Sequence, residues 1–188
     1  MNWQHVALHD CAPQAWRNGG GITHELATWP TPSDWRWRVS VARIDRDGPF
    51  SAFDSVQRWF AVLTGDGVTL SWPSHQRVVT PESAPVSFAG SPACDARLLS
   101  GSTLDLNLMA RGLGGTLTRQ SAAQAQAIWP AGAHVGVYAC DDCVWVCDGI
   151  TVEQSAHSLR WTQLMTASSG TWLRGTALVS VLQEEDAV

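Results

Sequence analysis

Lysine is missing from this chain of 188 residues; all twelve basic residues are arginines. That absence excludes a Schiff-base lysine and the lysine of a phosphate-binding P-loop. An anion held by a side chain must then be held by histidine or by arginine, whose planar fork can bond a carboxylate twice. Charge of either sign is sparse at 15%, and seventeen acids leave a net charge of -5. Such a balance lacks the basic footprint of a nucleic-acid binder. No apolar run approaches the roughly 18 residues of a membrane span. The opening stretch MNWQHVALHDCAP has neither the basic nor the apolar region of a signal peptide. Five cysteines are an odd number and, without export, are expected to be reduced, which points to the cytoplasm.

Helical periodicity is equally scarce. Short alternating runs separated by Gly, Pro and Asp imply an all-β chain, a sandwich or barrel of two sheets. In WRWRVSVA, Trp35, Trp37, Val39 and Val41 share one face, while Arg36, Arg38, Ser40 and Ala42 share the other. WFAVLTGDGVTLSW reads as two strands joined by a hairpin at Gly65-Asp66-Gly67. RGLGGTL reads as a linker, and SAAQAQAIW as the one short helix. The part beyond it repeats the strand-and-turn rhythm, so it is a candidate shorter copy of the first part, without a visible sequence repeat.

What the chain does have is tryptophan, eleven against four phenylalanines and one tyrosine. It also has a run of three glycines in WRNGGG, at 16–21. The glycine spacing fits neither dinucleotide-binding nor P-loop patterns, which leaves a structural turn or a loop at a ligand. Cys140, Cys143 and Cys147 have partial zinc-site spacing but no evident fourth ligand, and VYACDDCVWVCDG reads as a hairpin with buried cysteines. The six histidines include no His-x-His pair, and the sequence suggests no carboxylate or cysteine partner near His5 and His9, so no metal is expected. No G-x-S-x-G is present, and no catalytic residue is assigned. Arg38 and Arg58 flank apolar strand residues and need partners if buried. Those partners are either Asp34, Asp45 or Asp105 in a structural ion pair, or a carboxylate ligand in a barrel mouth.

WRNGGGITHELA (16–27), WRVSVARIDRDGPFSAF (37–53), LTGDGVTL (63–70) and FAGSPACDARLLSGSTLDLNLMAR (88–111) resemble, in order and spacing, the HutD/Ves family. The resemblance covers most of the first 111 residues. It implies a cupin-type β-barrel, arranged as a bicupin in one chain with a second half over 112–188, lacking the usual cupin metal ligands. It also implies a link to bacterial histidine utilisation, through sensing or buffering of a formylglutamate- or urocanate-like carboxylate, with no cofactor. Trp16, Asn18 and Gly19 to Gly21 match the family's WxNGGG, Arg38 and Ser40 its WRxSxA, and Asp105, Asn107 and Met109 its DxNxM. Arg58 matches the arginine that ends FPGxDR, although Phe53-Asp54-Ser55-Val56-Gln57 departs from that element. The expected site is therefore Arg58 and Arg38 as anion contacts, with Asn18, Ser40 and Asn107 orienting the ligand and Trp16 or Trp59 as its wall. A homodimer is compatible with this reading. The alternative is a small-molecule isomerase or hydrolase of the cupin superfamily, with His24 the first residue to test.

Overall fold

The computed structural model describes residues 2–91 and 93–185. Among them the only helical element is a short 3-10 turn at Leu8–Asp10; the rest of the regular structure is strand. The chain divides into two compact units. The first is Cys11–Gly112; the second joins the residues up to Asp10 to those from Leu113 onward.

After β1 (Gln4–Ala7), the first unit holds β2 (Pro13–Ala15), β3 (Gly21–Pro30), β4 (Trp35–Ile44), β5 (Gly48–Pro49) and β6 (Gln57–Thr64). It continues through β7 (Val68–Trp72), β8 (His75–Val79), β9 (Val86–Ala89), β10 (Asp95–Leu98) and β11 (Thr103–Ala110). These form a six-stranded sheet in the order β2-β3-β4-β11-β6-β9 and a four-stranded sheet in the order β5-β10-β7-β8. The core between them includes Ile44, Phe60 and Val62 from one sheet and Val68, Leu70 and Ala96 from the other. Each large side chain buried there contributes roughly 1.5–3 kcal/mol.

The second unit contains β12 (Leu113–Ser121), β13 (Ala127–Trp129), β14 (His134–Ala139), β15 (Cys143–Cys147) and β16 (Ile150–Gln154), then β17 (Ser158–Gln163), β18 (Ser168–Arg174) and β19 (Thr176–Glu184). Its sheets run β12-β19-β14-β17-β1 and β13-β18-β15-β16. Replace each of β4 to β11 by the strand eight places later, and the orders β4-β11-β6-β9 and β5-β10-β7-β8 become those of the second unit, in which β2 and β3 have no counterpart. The two units thus share a strand order over eight strands. Strand β1 is an addition to it, antiparallel to β17 with Gln4 opposite Trp161.

Inside, the copies differ. The second core is filled by indoles: Trp3, Trp129 and Trp145 meet edge to face at 5.3–6.1 Å, and Trp145 stacks on Trp172 at 5.9 Å. Its inward rows are apolar as well, with Val137 opposite Val179 and Val135 opposite Val181.

Several sequence expectations are corrected here. Gly65-Asp66-Gly67 is no hairpin turn, since β6 and β7 belong to different sheets and the glycines form the corner between them. SAAQAQAIW forms turns and then strand β13, because Ala127 and Trp129 have a partner strand in β18. Of RGLGGTL only Arg111-Gly112 connects the units; Leu113 begins β12. The cysteine hairpin lies one step further on, between β15 and β16, and β14 pairs elsewhere.

Candidate ligand-binding site

A cavity of about 500 Å³ lies in the first unit. Pleating sets its walls, because alternate residues of β4, β6 and β11 point inward and the strand register aligns them in rows. Arg38, Met109 and Arg58 form the first row; Ser40, Asn107 and Phe60 form the second; Ala42, Asp105 and Val62 form the third, of which Phe60, Asp105 and Val62 share the face without lining the cavity. The loop before β3 adds Trp16 and Asn18, and the segment after Gly48 adds Phe50, Ser51 and Phe53. Arg58, Arg38, Asn18, Ser40, Asn107 and Trp16 therefore line one cavity. Trp59 does not; it takes the other face of β6, opposite Leu108, and is buried away from the lining. His24 is also outside it, its Nδ1 at 2.7 Å from the Cys11 carbonyl oxygen.

Arg58 is only 4% exposed. Its Nη2 donates to Asn107 Oδ1 at 3.0 Å and its Nη1 to the Ser51 carbonyl at 3.4 Å. The rings of Phe50 and Phe88 lie 4.9 and 5.1 Å from the guanidinium. The Nε–H has no acceptor, and no carboxylate among the described residues lies within ion-pair distance of this side chain. Burial lowers its pKa to about 10, with Arg38 adding to the effect and the Cys94 thiol opposing it, so the cation persists at neutral pH. A buried charge in this state lacks the partner that normally offsets its desolvation.

Arg38 is less enclosed. Its Nη2 donates to Met109 Sδ at 3.3 Å, its Nη1 is 4.0 Å from a Glu25 carboxylate oxygen, and its Nε–H is also without an acceptor. Trp35 and Phe53 lie 5.2 and 5.6 Å from it. Burial lowers its pKa, with Glu25 opposing and Arg111 reinforcing. Aromatic neighbours hold both guanidinium planes by cation–π attraction while leaving their N–H edges free to donate. None of the three aspartates considered from sequence pairs with either arginine. Asp45 bonds Arg43 instead, and Asp105 lies two rows away.

Asn107 accepts from Arg58 through its oxygen, so its NH2 group remains a donor. In the glycine loop the Asn18 Oδ1 accepts from the Gly20 N–H at 2.9 Å, and the Trp16 indole donates to Thr23 Oγ1 at 2.7 Å. Gly19 has φ +68°, a left-handed conformation, and a Cβ on Gly21 would overlap the Arg43 carbonyl oxygen. WRNGGG thus builds a turn tight against β4 and places Trp16 and Asn18 on the cavity. The aromatic clamps Phe50 and Phe88 were not foreseen from sequence. Their signal was positional only, since Phe88 is the register partner of Arg58 on β9.

Among the described residues no three His, Cys, Asp or Glu side chains converge as metal ligands. Three guanidinium cations, with amides and hydroxyls, are a donor set that does not fit a divalent cation.

The sequence profile of the HutD family matches residues 8–186. The chain belongs to the HutD family. A protein from Pseudomonas putida, described as an uncharacterized 21.2 kDa protein in the hutC 3' region, is 32% identical over 148 residues, 71% of this chain and 76% of its own length. Protein Ves of Cronobacter sakazakii is 37% identical over 97 residues, 51% of this chain. The match spans about half, 54%, of that Ves protein. The structure of HutD from Pseudomonas fluorescens SBW25, in a formate condition, superimposes with a TM-score of 0.83 at 24% identity, covering 98% of this chain and all of the other. The fold of this HutD-family chain is all-β and of the cupin type.

Proposed function

We propose that the protein binds a small carboxylate metabolite in the cavity of its first unit, without a metal, and so regulates or buffers histidine utilisation or a related pathway. One observation carries the reading: Arg58 is a buried cation with no carboxylate partner, beside a second arginine, each with an Nε–H lacking an acceptor. A ligand carboxylate would supply the charge-assisted bonds that the protein leaves unmade. The polar groups of Asn107, Ser40 and Asn18 would orient it, and Trp16 would form part of its wall. Formylglutamate and urocanate are the first candidates, and the name of the Pseudomonas putida relative supports the pathway. The lining offers no histidine, carboxylate or thiol to act as a base, which supports a binder over the isomerase or hydrolase alternative.

Calorimetry with the two carboxylates tests this. The wild type should bind at least one of them, and Arg58→Ala should abolish that binding, as loss of a buried charge-assisted contact costs roughly 2–5 kcal/mol. Unchanged affinity in Arg58→Ala would sink the assignment.

A further inference from the structure

We infer that Asp105 couples anion uptake in the cavity to the uptake of a proton, an inference that rests on the reading of the cavity as a carboxylate site. Asp105 lies on β11 two residues from Asn107 and four from Met109, so pleating turns all three toward the same interior. It is fully buried. Its Oδ2 accepts from Thr103 Oγ1 at 2.8 Å, and its Oδ1 has no partner. The flanking positions in its row are Ala42 and Val62, which have no side-chain donor to offer.

On β4 and β6 the charged groups of the same inner face are Arg38 and Arg58, both two rows away. From the facing sheet, Val68, Leu70 and Ala96 of β7 and β10 do not ionise, and burial lifts the Cys94 thiol to about 11, so it stays neutral. Strand β3 contributes Thr23 on the cavity side and, beside Ser40, Glu25, whose carboxylate is 4.0 Å from Arg38; the loop before it brings Arg17 to the cavity. Asp105 is therefore the one fully buried carboxyl on this face among the described residues, and burial raises it to about 7, opposed by the Thr103 hydroxyl.

An anion seated against Asn107 and the arginines would lie one or two rows from Asp105, roughly 7 to 14 Å away along the strand. In a low-dielectric interior, like charges at such distances repel appreciably. A bound anion then favours the protonated acid, and the ionised acid disfavours the anion by the same factor. The cavity should fill at mildly acidic pH and empty as Asp105 ionises.

The test is calorimetry with glutarate, a plain dicarboxylate that stays ionised across the range, between about pH 6.5 and 8.5 in buffers of different ionisation enthalpy. Wild-type affinity should fall roughly five- to tenfold over that range, a change of about one pKa unit on binding. Heats near neutrality should also show net proton uptake. Asp105→Asn should make affinity independent of pH. Thr103→Val, which removes the hydroxyl that favours the carboxylate, should move the fall to higher pH, and it tests the coupling should the asparagine variant fail to fold. A flat wild-type profile, or an unchanged slope in Asp105→Asn, overturns the coupling and leaves the carboxylate reading standing. No binding of glutarate at any pH overturns both.

Discussion

At the scale of single residues, Arg58, Arg38 and Asp105 share the inner face of the first unit, and each has a different environment. Arg58 is clamped by two phenylalanines, Arg38 is half satisfied by Glu25, and Asp105 is closed off with one oxygen idle. The acid has a consequence for stability that needs no ligand. Its carboxyl rises from 3.8 to about 7 on folding, so between those values the folded state binds a proton that the unfolded chain has released. Stability therefore declines as pH rises from about 4 to about 7 and is level above, by on the order of 4 kcal/mol for this group. Urea unfolding at several pH values should show that decline in the wild type and a much smaller one in Asp105→Asn. An equal decline in both proteins would mean that the acid is ionised inside the barrel.

At the scale of elements, the loop leading into β3 shows why two adjacent-looking glycines are not equivalent. Gly19 needs its left-handed conformation but has open space around it, whereas Gly21 is pressed against the backbone of β4. Gly19→Ala should cost about 1–2 kcal/mol in chemical denaturation. Gly21→Ala should cost more, about 1–3 kcal/mol or beyond, and should also disturb the pairing of Gly21 with Ile44. The same elements show what could be read beforehand. Strand β4 was legible because WRWRVSVA alternates, and that alternation puts Arg38 and Ser40 on one face; that this face looks into a cavity does not follow from it. Partner strands were not legible. Local pattern says that Gln57–Thr64 and Val68–Trp72 are strands, but long-range pairing decides that they enter different sheets. Hence the mistaken hairpin at Gly65-Asp66-Gly67, and hence Trp59 on the wrong face. The arginine pair was found through family resemblance and strand phase, while Phe88 came to it only through the register of β9.

At the scale of the molecule, one strand order is used twice with opposite contents. The first unit leaves a cavity lined by polar side chains; the second spends its equivalent interior on tryptophan and valine. Charge is divided as unequally: the first unit carries nine arginines against nine acids, so the whole net charge of -5 resides in the second. Trp3 belongs to that second interior although it stands at the other end of the chain. Trp3→Ala should lower the melting temperature, by about 2–4 kcal/mol in stability for a partly buried indole. Below that transition, carboxylate affinity should match the wild type, because no cavity residue is touched. A loss of affinity without a loss of stability would contradict the separation of roles between the two interiors.

The pairing of β1 with β17 also orders events during synthesis. Residues Cys11–Gly112 can complete their own sheets once they have left the ribosome, but Gln4–Ala7 find their partner only when Ser158–Trp161 emerge. At roughly 5–20 residues per second the first strand waits on the order of ten seconds, with Trp3 bare, while the rest of its barrel is still being made. Translation speed thus sets how long an unpaired edge and an exposed indole stand open to chaperones or to the wrong neighbour.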